Sequence, residues 1–241
     1  DEDFDEAYPH KRPSQRYKMG DVYHGGIVEL AVQSSTGSKE LALLAQDNLG
    51  LLHALDGESG VEKWAFAPPN VLEGRRLVGL KQFAGSWIQT TDQNQTYASV
   101  PRYMLDGPLM VERTHDGRYV LLGLLGRGGC GLYAMDVTSP WSPRFLWGVE
   151  NQLFGFSGGT TMPSISQNRK IVRWDQTGRT VIPYDQYSQW GQGGWGWNYS
   201  QMYLTTSTPV VGTFQGKDVF LMGGGYPGAS NLHLPGAVFM T

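Results

Sequence analysis

Along Gln46 to Trp64, QDNLGLLHALDGESGVEKW, an apolar run gives way to an acidic, glycine-bearing turn and then to an alternating run. Gly50, Gly57 and Gly60 argue against a helix, since each costs about 1 kcal/mol in a helix interior. The pattern predicts strand, turn, strand. Residues 51–55 form a short buried strand. Residues 56–60 form the turn, because Asp and Ser side chains bond the local backbone and glycine takes positive φ. Residues 61–66 alternate apolar and polar, the period-two mark of a half-buried strand.

The same layout recurs from Asp106 to Asp136 and again from Ser207 to Thr241. Each copy opens on a short apolar strand: Ile27-Val28, Leu109-Met110-Val111, Val210-Val211. A polar turn with glycine follows, then a strongly apolar strand, a glycine-rich connection and a third strand. In the first two copies that third strand ends in Asp56 and Asp136, and a fourth run ends in Trp64 and Trp147. Four strands per repeat is the plan of a β-propeller blade. The expected fold is therefore all-β, a quinoprotein-like propeller of four-stranded blades, incomplete or modified. Residues 1–18 form an acidic and basic linker, and 19–241 form the propeller domain. The copies lie farther apart than the about 40–50 residues of a plain blade. Insertions are expected at about 67–105 and 148–206, or each interval hides a degenerate blade. A weak helical pattern places Leu72, Arg75, Leu77 and Leu80 on a short helix. The chain opens without Met and stops at Thr241 where the third copy would continue, so a piece of a longer chain is expected.

Composition fits this picture. Glycine numbers 33 of 241 residues, about twice its usual share of roughly 7%. Aromatic residues make up 12% and charged residues only 17%, which suits short strands and tight turns. A net charge of −3 with no Lys/Arg stripe argues against nucleic-acid binding. No run reaches the ~18 apolar residues of a membrane span, and no signal peptide opens the chain. The single cysteine, Cys130, excludes an intramolecular disulfide and a cysteine zinc site, and its setting between two glycines reads as a small buried residue.

Asp56, Gly60 and Trp64, with Asp136 and Trp147, have a sufficient structural role. Each Asp caps a turn, and each Trp packs between neighbouring blades, where a flat ring buries much apolar area. The five histidines show no metal-ligand spacing, and His53 reads as packed or surface rather than catalytic. The stretch that favours contact with a partner is YDQYSQWGQGGWGWNYSQMY, where Trp190, Trp195, Trp197 and Tyr199 sit among glycines. Exposed rings of this kind give large contact area at low entropic cost. The alternative is a lid that buries them.

The Ala, Asp, Gly and Trp pattern resembles the tryptophan-docking repeats of quinoprotein dehydrogenases, which implies pyrroloquinoline quinone and Ca²⁺. That family often sets vicinal cysteines against the quinone, and this chain has only Cys130. A second resemblance rests on MGDVYHGGIVEL, AQDNLGLLHALDGESGVEKWAFAPPNVL, LDGPLMV and LLGLLGRGGCGLYAMDVTSPWSPRFLWGVE. These segments resemble the C-terminal propeller of PilC/PilY-type type IV pilus-tip adhesins, from about Met19 to Glu150 and again from Ser207 to Thr241.

That resemblance implies a non-enzymatic, exported protein at the surface or pilus tip of a Gram-negative bacterium. Its expected work is pilus biogenesis and adhesion, with minor pilins and host or abiotic surfaces as partners. Many members hold Ca²⁺ in an Asp-rich nine-residue loop, in keeping with the six to eight oxygens this ion takes. No such loop occurs here. DQNQT at Asp92 to Thr96 has one carboxylate, and DEDFDE at Asp1 to Glu6 lacks a glycine turn. The expectation is therefore no identified cofactor, with Ca²⁺ implied only by the resemblance. Two further readings are a quinone-dependent periplasmic oxidoreductase and a propeller scaffold of an envelope assembly complex.

Overall fold

A computed structural model describes residues 19–33, 37, 39–72, 90–92, 95–97, 104–154, 165–183, 205, 207–223 and 237–240. The described elements are almost wholly antiparallel β. The first sheet is a meander of β1 (Ile27–Gln33), β2 (Lys39–Gln46), β3 (Leu52–Asp56) and β4 (Glu62–Phe66), in that spatial order. A helical turn, α1 (Pro69–Leu72), follows, and β5 (Thr90–Asp92) pairs with β6 (Gln95–Tyr97). The second sheet holds β7 (Leu109–Arg113), β8 (Tyr119–Leu124), β9 (Gly131–Asp136), β10 (Arg144–Phe154), β11 (Ile165–Asp175) and β12 (Gly178–Pro183), each paired with the next. The third contains β13 (Val210–Phe214), β14 (Lys217–Met222) and β15 (Ala237–Met240).

Register makes the internal repeat physical. Ala42 lies opposite Asp56 and Leu44 opposite Ala54, just as Val120 lies opposite Asp136 and Leu122 opposite Ala134. Val28 pairs with Leu44, Met110 with Leu122 and Val210 with Leu221. The first two sets occupy corresponding positions, each two residues from the Asp that ends the third strand.

The sheets stack face to face. Leu30, Ala42, Leu44, Leu52 and Ala54 of the first meet Leu109, Leu121, Tyr133 and Met135 of the second in one buried cluster. The opposite face of the second sheet presents Val120, Leu122, Leu132, Ala134 and Val149 to Phe220 and Met222 of the third. Alternation along each strand sends successive side chains to opposite faces, so the middle sheet is apolar on both sides. Burying each of these leucines contributes roughly 1.5–3 kcal/mol. On the outer side of the third sheet, Val210 is 63% exposed and Leu221 44%. Leu44 of the first sheet and Leu122 of the second, which meet a neighbouring sheet, are fully buried.

One irregularity is common to the first two sheets. Ala54 pairs with Trp64 while Leu55 pairs with Glu62, so Lys63 is left over as a bulge. Ala134 pairs with Trp147 while Met135 pairs with Phe145, so Leu146 is left over at the corresponding place. A bulge sets two residues of one strand against one of its partner. Residues two apart then face opposite sides rather than the same side.

Three features differ from the sequence expectation. The interval 148–206, expected as an insertion, begins as strand: β10 runs on to Phe154 and the β11–β12 hairpin widens the second sheet to six strands. Arg173, Trp174 and Asp175 pair across a tight turn with Thr180, Arg179 and Gly178 respectively, and Gly178 has φ of 124°. Within 67–105, the helix is the single turn Pro69–Leu72, with Val71 fully buried, and Arg75, Leu77 and Leu80 lie outside the described residues. The described strands form open meanders, and a closed ring is not among them.

Gly123 shows how tightly the middle sheet is filled. It pairs with Tyr133, and a Cβ there would sit 2.2 Å from Tyr133 Cζ and 2.4 Å from its Cε1. That ring is fully buried and has no room to retreat. Gly123→Ala is expected to lower stability by about 1–3 kcal/mol through overpacking, read as a lower urea midpoint at unchanged slope.

Candidate functional site

The junction between the first and second sheets gathers most of the side chains singled out by sequence. Asp56 Oδ1 accepts from the amides of Glu58 (3.1 Å) and Ser59 (2.9 Å), and its Oδ2 lies 3.2 Å from Lys63 Nζ. The Ser59 amide, then Lys63, hold its carboxyl down at about 2. Gly60 closes the turn at φ of 70°. Asp136 repeats the arrangement, accepting from the Thr138 amide at 3.0 Å and meeting Arg144 Nη2 at 3.3 Å. Burial pushes its carboxyl up, but the Thr138 bonds and the charges of Arg118 and Arg144 outweigh this and hold it low. Asp175 makes a third turn of the kind, with the Thr177 amide at 2.8 Å. These carboxylates face their own turns.

The tryptophans sit where sheets meet. Trp64 Nε1 donates to Pro140 O at 2.7 Å, joining β4 to the β9–β10 connection. From that connection Trp141 Nε1 donates to Glu40 Oε2 at 2.6 Å, and Lys63 Nζ lies 5.6 Å from the Trp141 ring centroid. A cation over an aromatic face adds roughly 0.5–1 kcal/mol at an exposed site. Trp147 is half-buried against the cluster shared with the third sheet.

Beneath the tryptophans runs a polar seam. Gln46 Nε2 donates to Gly107 O and, at 2.9 Å, to Leu124 O. Its Oε1 accepts from Tyr133 OH at 3.0 Å. Burial pushes that phenol far above its ordinary value, aided by the nearby Asp47 charge. His24 Nδ1 donates to Asp106 Oδ2 at 2.9 Å, tying the segment before β1 to the segment before β7. His115 Nδ1 and its amide donate to Asp218 at 2.8 and 3.1 Å, joining the second sheet to the third.

The densest charge lies at Asp47, His53 and Glu62. His53 Nε2 is 3.1 Å from Asp47 Oδ2 and its Nδ1 is 2.9 Å from Glu62 Oε2. Asp47 also accepts from the amides of Gly20 (2.6 Å) and Leu51 (2.8 Å). Both ring nitrogens are engaged by carboxylates, so the imidazole has no lone pair facing outward for base catalysis. Sequence reading placed His53 on a strand but missed Gln46, Asp47, Glu62 and Tyr133. The available signal was the polar pair Gln46-Asp47 directly ending an apolar strand.

Trp190, Trp195, Trp197 and Tyr199, expected to make partner contacts, lie outside the described residues, as does the acidic run Asp1 to Glu6. Cys130 is buried, 1% exposed. Among the described residues no cluster of three or more His, Cys, Asp or Glu side chains is arranged to hold a metal ion. No helix there is long and apolar enough to cross a membrane.

The chain has named relatives over about half of its length. A type IV pilus biogenesis factor PilY1 homolog of Xylella fastidiosa is 36% identical over 125 residues, 50% of this chain and 9% of that protein. The type IV pilus biogenesis factor PilY1 of Pseudomonas aeruginosa strain UCBPP-PA14 is 35% identical over 104 residues, 42% of this chain and 8% of that protein. Over these stretches the chain is similar to PilY1-type pilus biogenesis factors. It spans less than a tenth of the length of these relatives. The crystal structure of the P. aeruginosa PilY1 C-terminal domain aligns with a TM-score of 0.42 and 20% identity, over 83% of this chain and 28% of that one. No protein-family model matches the chain.

Two substitutions separate the polar seam from the turn caps. Tyr133→Phe strips Gln46 Oε1 of its buried donor and is expected to cost about 1–3 kcal/mol in chemical denaturation. Asp56 titration by carboxyl NMR is expected near 2, rising in Lys63→Ala. Because its folded value is depressed, its contribution to stability is present above the ordinary 3.8 and lost as pH falls toward 2.

Proposed function

We propose that this chain is a non-enzymatic part of a type IV pilus biogenesis factor, exported to the surface or pilus tip of a Gram-negative bacterium. The observation that carries this reading is the 36% identity over half the chain to a protein named as such a factor. The work is docking rather than catalysis. The Asp and Trp side chains of the repeat serve turns and sheet junctions, and the inserted loops are left to meet partners. Those partners are minor pilins at the pilus tip, with host or abiotic surfaces as adhesive ligands. Trp190, Trp195, Trp197 and Tyr199 are the proposed contact residues.

The proposed architecture is a propeller of which the three sheets are blades. Support comes from the shared register of the units and the shared bulge before each Trp. It comes also from the apolar outer face at Val210 and Leu221, the side on which a next blade would pack. No metal is assigned, because the sequence carries no Asp-rich calcium loop.

The test is genetic and biochemical. Removing the coding segment from its bacterial host is expected to abolish surface pili and twitching, and the purified full-length protein is expected to retain minor pilins on a column. Trp195→Ala with Trp197→Ala is expected to weaken that retention at least tenfold while leaving the protein folded. Normal piliation and twitching in the deletion strain would overturn the reading.

A further inference from the structure

The cluster at Asp47, His53 and Glu62 is not used by the docking role, and it ties together three separate pieces of chain. The Gly20 amide comes from the segment before β1, Asp47 from the turn after β2, and Glu62 from the first residue of β4. His53 and Asp47 are fully buried, whereas the Glu62 side chain is 35% exposed. A neutral imidazole carries one N–H and so satisfies one carboxylate. With both carboxyls ionised, facing them at 3.1 and 2.9 Å calls for a proton on each ring nitrogen.

We infer that His53 is a proton-dependent latch: as imidazolium it pins Glu62 and the start of β4, and on losing one proton it releases them. The proton leaves from Nδ1 to solvent, converting imidazolium to neutral imidazole and changing the charge of the cluster from −1 to −2. Nε2–H remains on Asp47, which is buried and has no water to turn to. The bared Nδ1 lone pair then opposes the Glu62 carboxylate, and Glu62 has solvent beside it and swings away.

The surroundings isolate this event. In register, Ala45 of β2 and Ala65 of β4 flank His53, with Ile27 of β1 beyond, and none carries charge. Among the described residues, the charges that bear on the ring are Asp47 and Glu62. The Tyr133 phenol of the second sheet feels Asp47 and stays protonated. Burial lowers the affinity of His53 for a second proton, but hydrogen bonds to Asp47 and Glu62, with their charges, outweigh it and raise the ring above 6.5. For Asp47, burial works upward, and the bonds from His53, Leu51 and Gly20 prevail and hold it low. The latch is therefore fully closed below 6.5 and opens as pH rises through the raised value.

Release reaches the sheet junction because Glu62 precedes the bulge at Lys63. Lys63 bridges Asp56 and Trp141, and Trp64 holds Pro140. Opening therefore loosens β4 and the turn before it.

The test is imidazole ¹⁵N NMR on the whole chain, with amide hydrogen exchange across residues 62–66. Both His53 nitrogens are expected to show protonated shifts at pH 6.5, with a midpoint above that of an ordinary histidine. Glu62→Gln, at a half-exposed site that tolerates the isostere, is expected to lower the midpoint. Exchange in β4 is expected to speed up through the midpoint beyond the intrinsic base-catalysed rise in the native chain, and to show no such step in E62Q. A neutral His53 at pH 6, or β4 exchange indifferent to the midpoint, would overturn the latch. The native-chain spectra decide the protonation state even if the variant misfolds.

Discussion

The second sheet is buried on both faces, and the rest of the arrangement follows from that constraint. One face carries Leu121, Tyr133 and Met135 and the other Val120, Leu122 and Leu132, all interleaved along the same strands. Neither face can be left in water without losing roughly 25 cal/mol for every Å² of apolar surface. A sheet of this kind demands a neighbour on each side. The first and third sheets fill those places, and their own apolar faces are oriented by the need to meet it.

Burial of both faces raises a difficulty where strands must turn from one neighbour to the other. The bulges at Lys63 and Leu146 resolve it. By breaking the two-residue alternation once, β4 sends Glu62 toward His53 and Trp64 toward the second sheet. In β10 the same device sends Phe145 to the first sheet's cluster and Trp147 to the third's. The indole N–H of Trp64 then finds Pro140 O, so the half-buried ring packs without an orphaned donor. Glycine serves the same close packing at Gly123, whose missing side chain is the space that the Tyr133 ring occupies.

Polar groups at these junctions select one arrangement among many that hydrophobic burial would accept. Gln46 reaches the Gly107 and Leu124 carbonyls and the Tyr133 hydroxyl, tying the first sheet to the second by buried hydrogen bonds. An unmade buried hydrogen bond costs more than a made one contributes, so such a cluster penalises every misaligned packing. His24–Asp106 and His115–Asp218 act in the same sense between successive sheets.

Local chemistry decided much of this in the sequence itself. The strand–turn–strand pattern around Asp56, the repeat at Asp136 and the apolar runs in all three copies depend on side-chain alternation and on turns that close over a few residues. Those are short-range effects, and they are legible one segment at a time. The β11–β12 hairpin escaped notice because its charged residues Lys170, Arg173 and Arg179 mask the alternation beneath them. Only the tertiary structure decided which face each strand turns to which neighbour. The bulge before each Trp changes facing without changing composition, and Asp56 and Trp64 lie closer in sequence than Asp136 and Trp147 although their registers match. The pairing of His53 with both Asp47 and Glu62 was likewise hidden. It depends on a turn, a strand and a bulge bringing distant carboxylates to one ring, and no spacing along the chain encodes that distance.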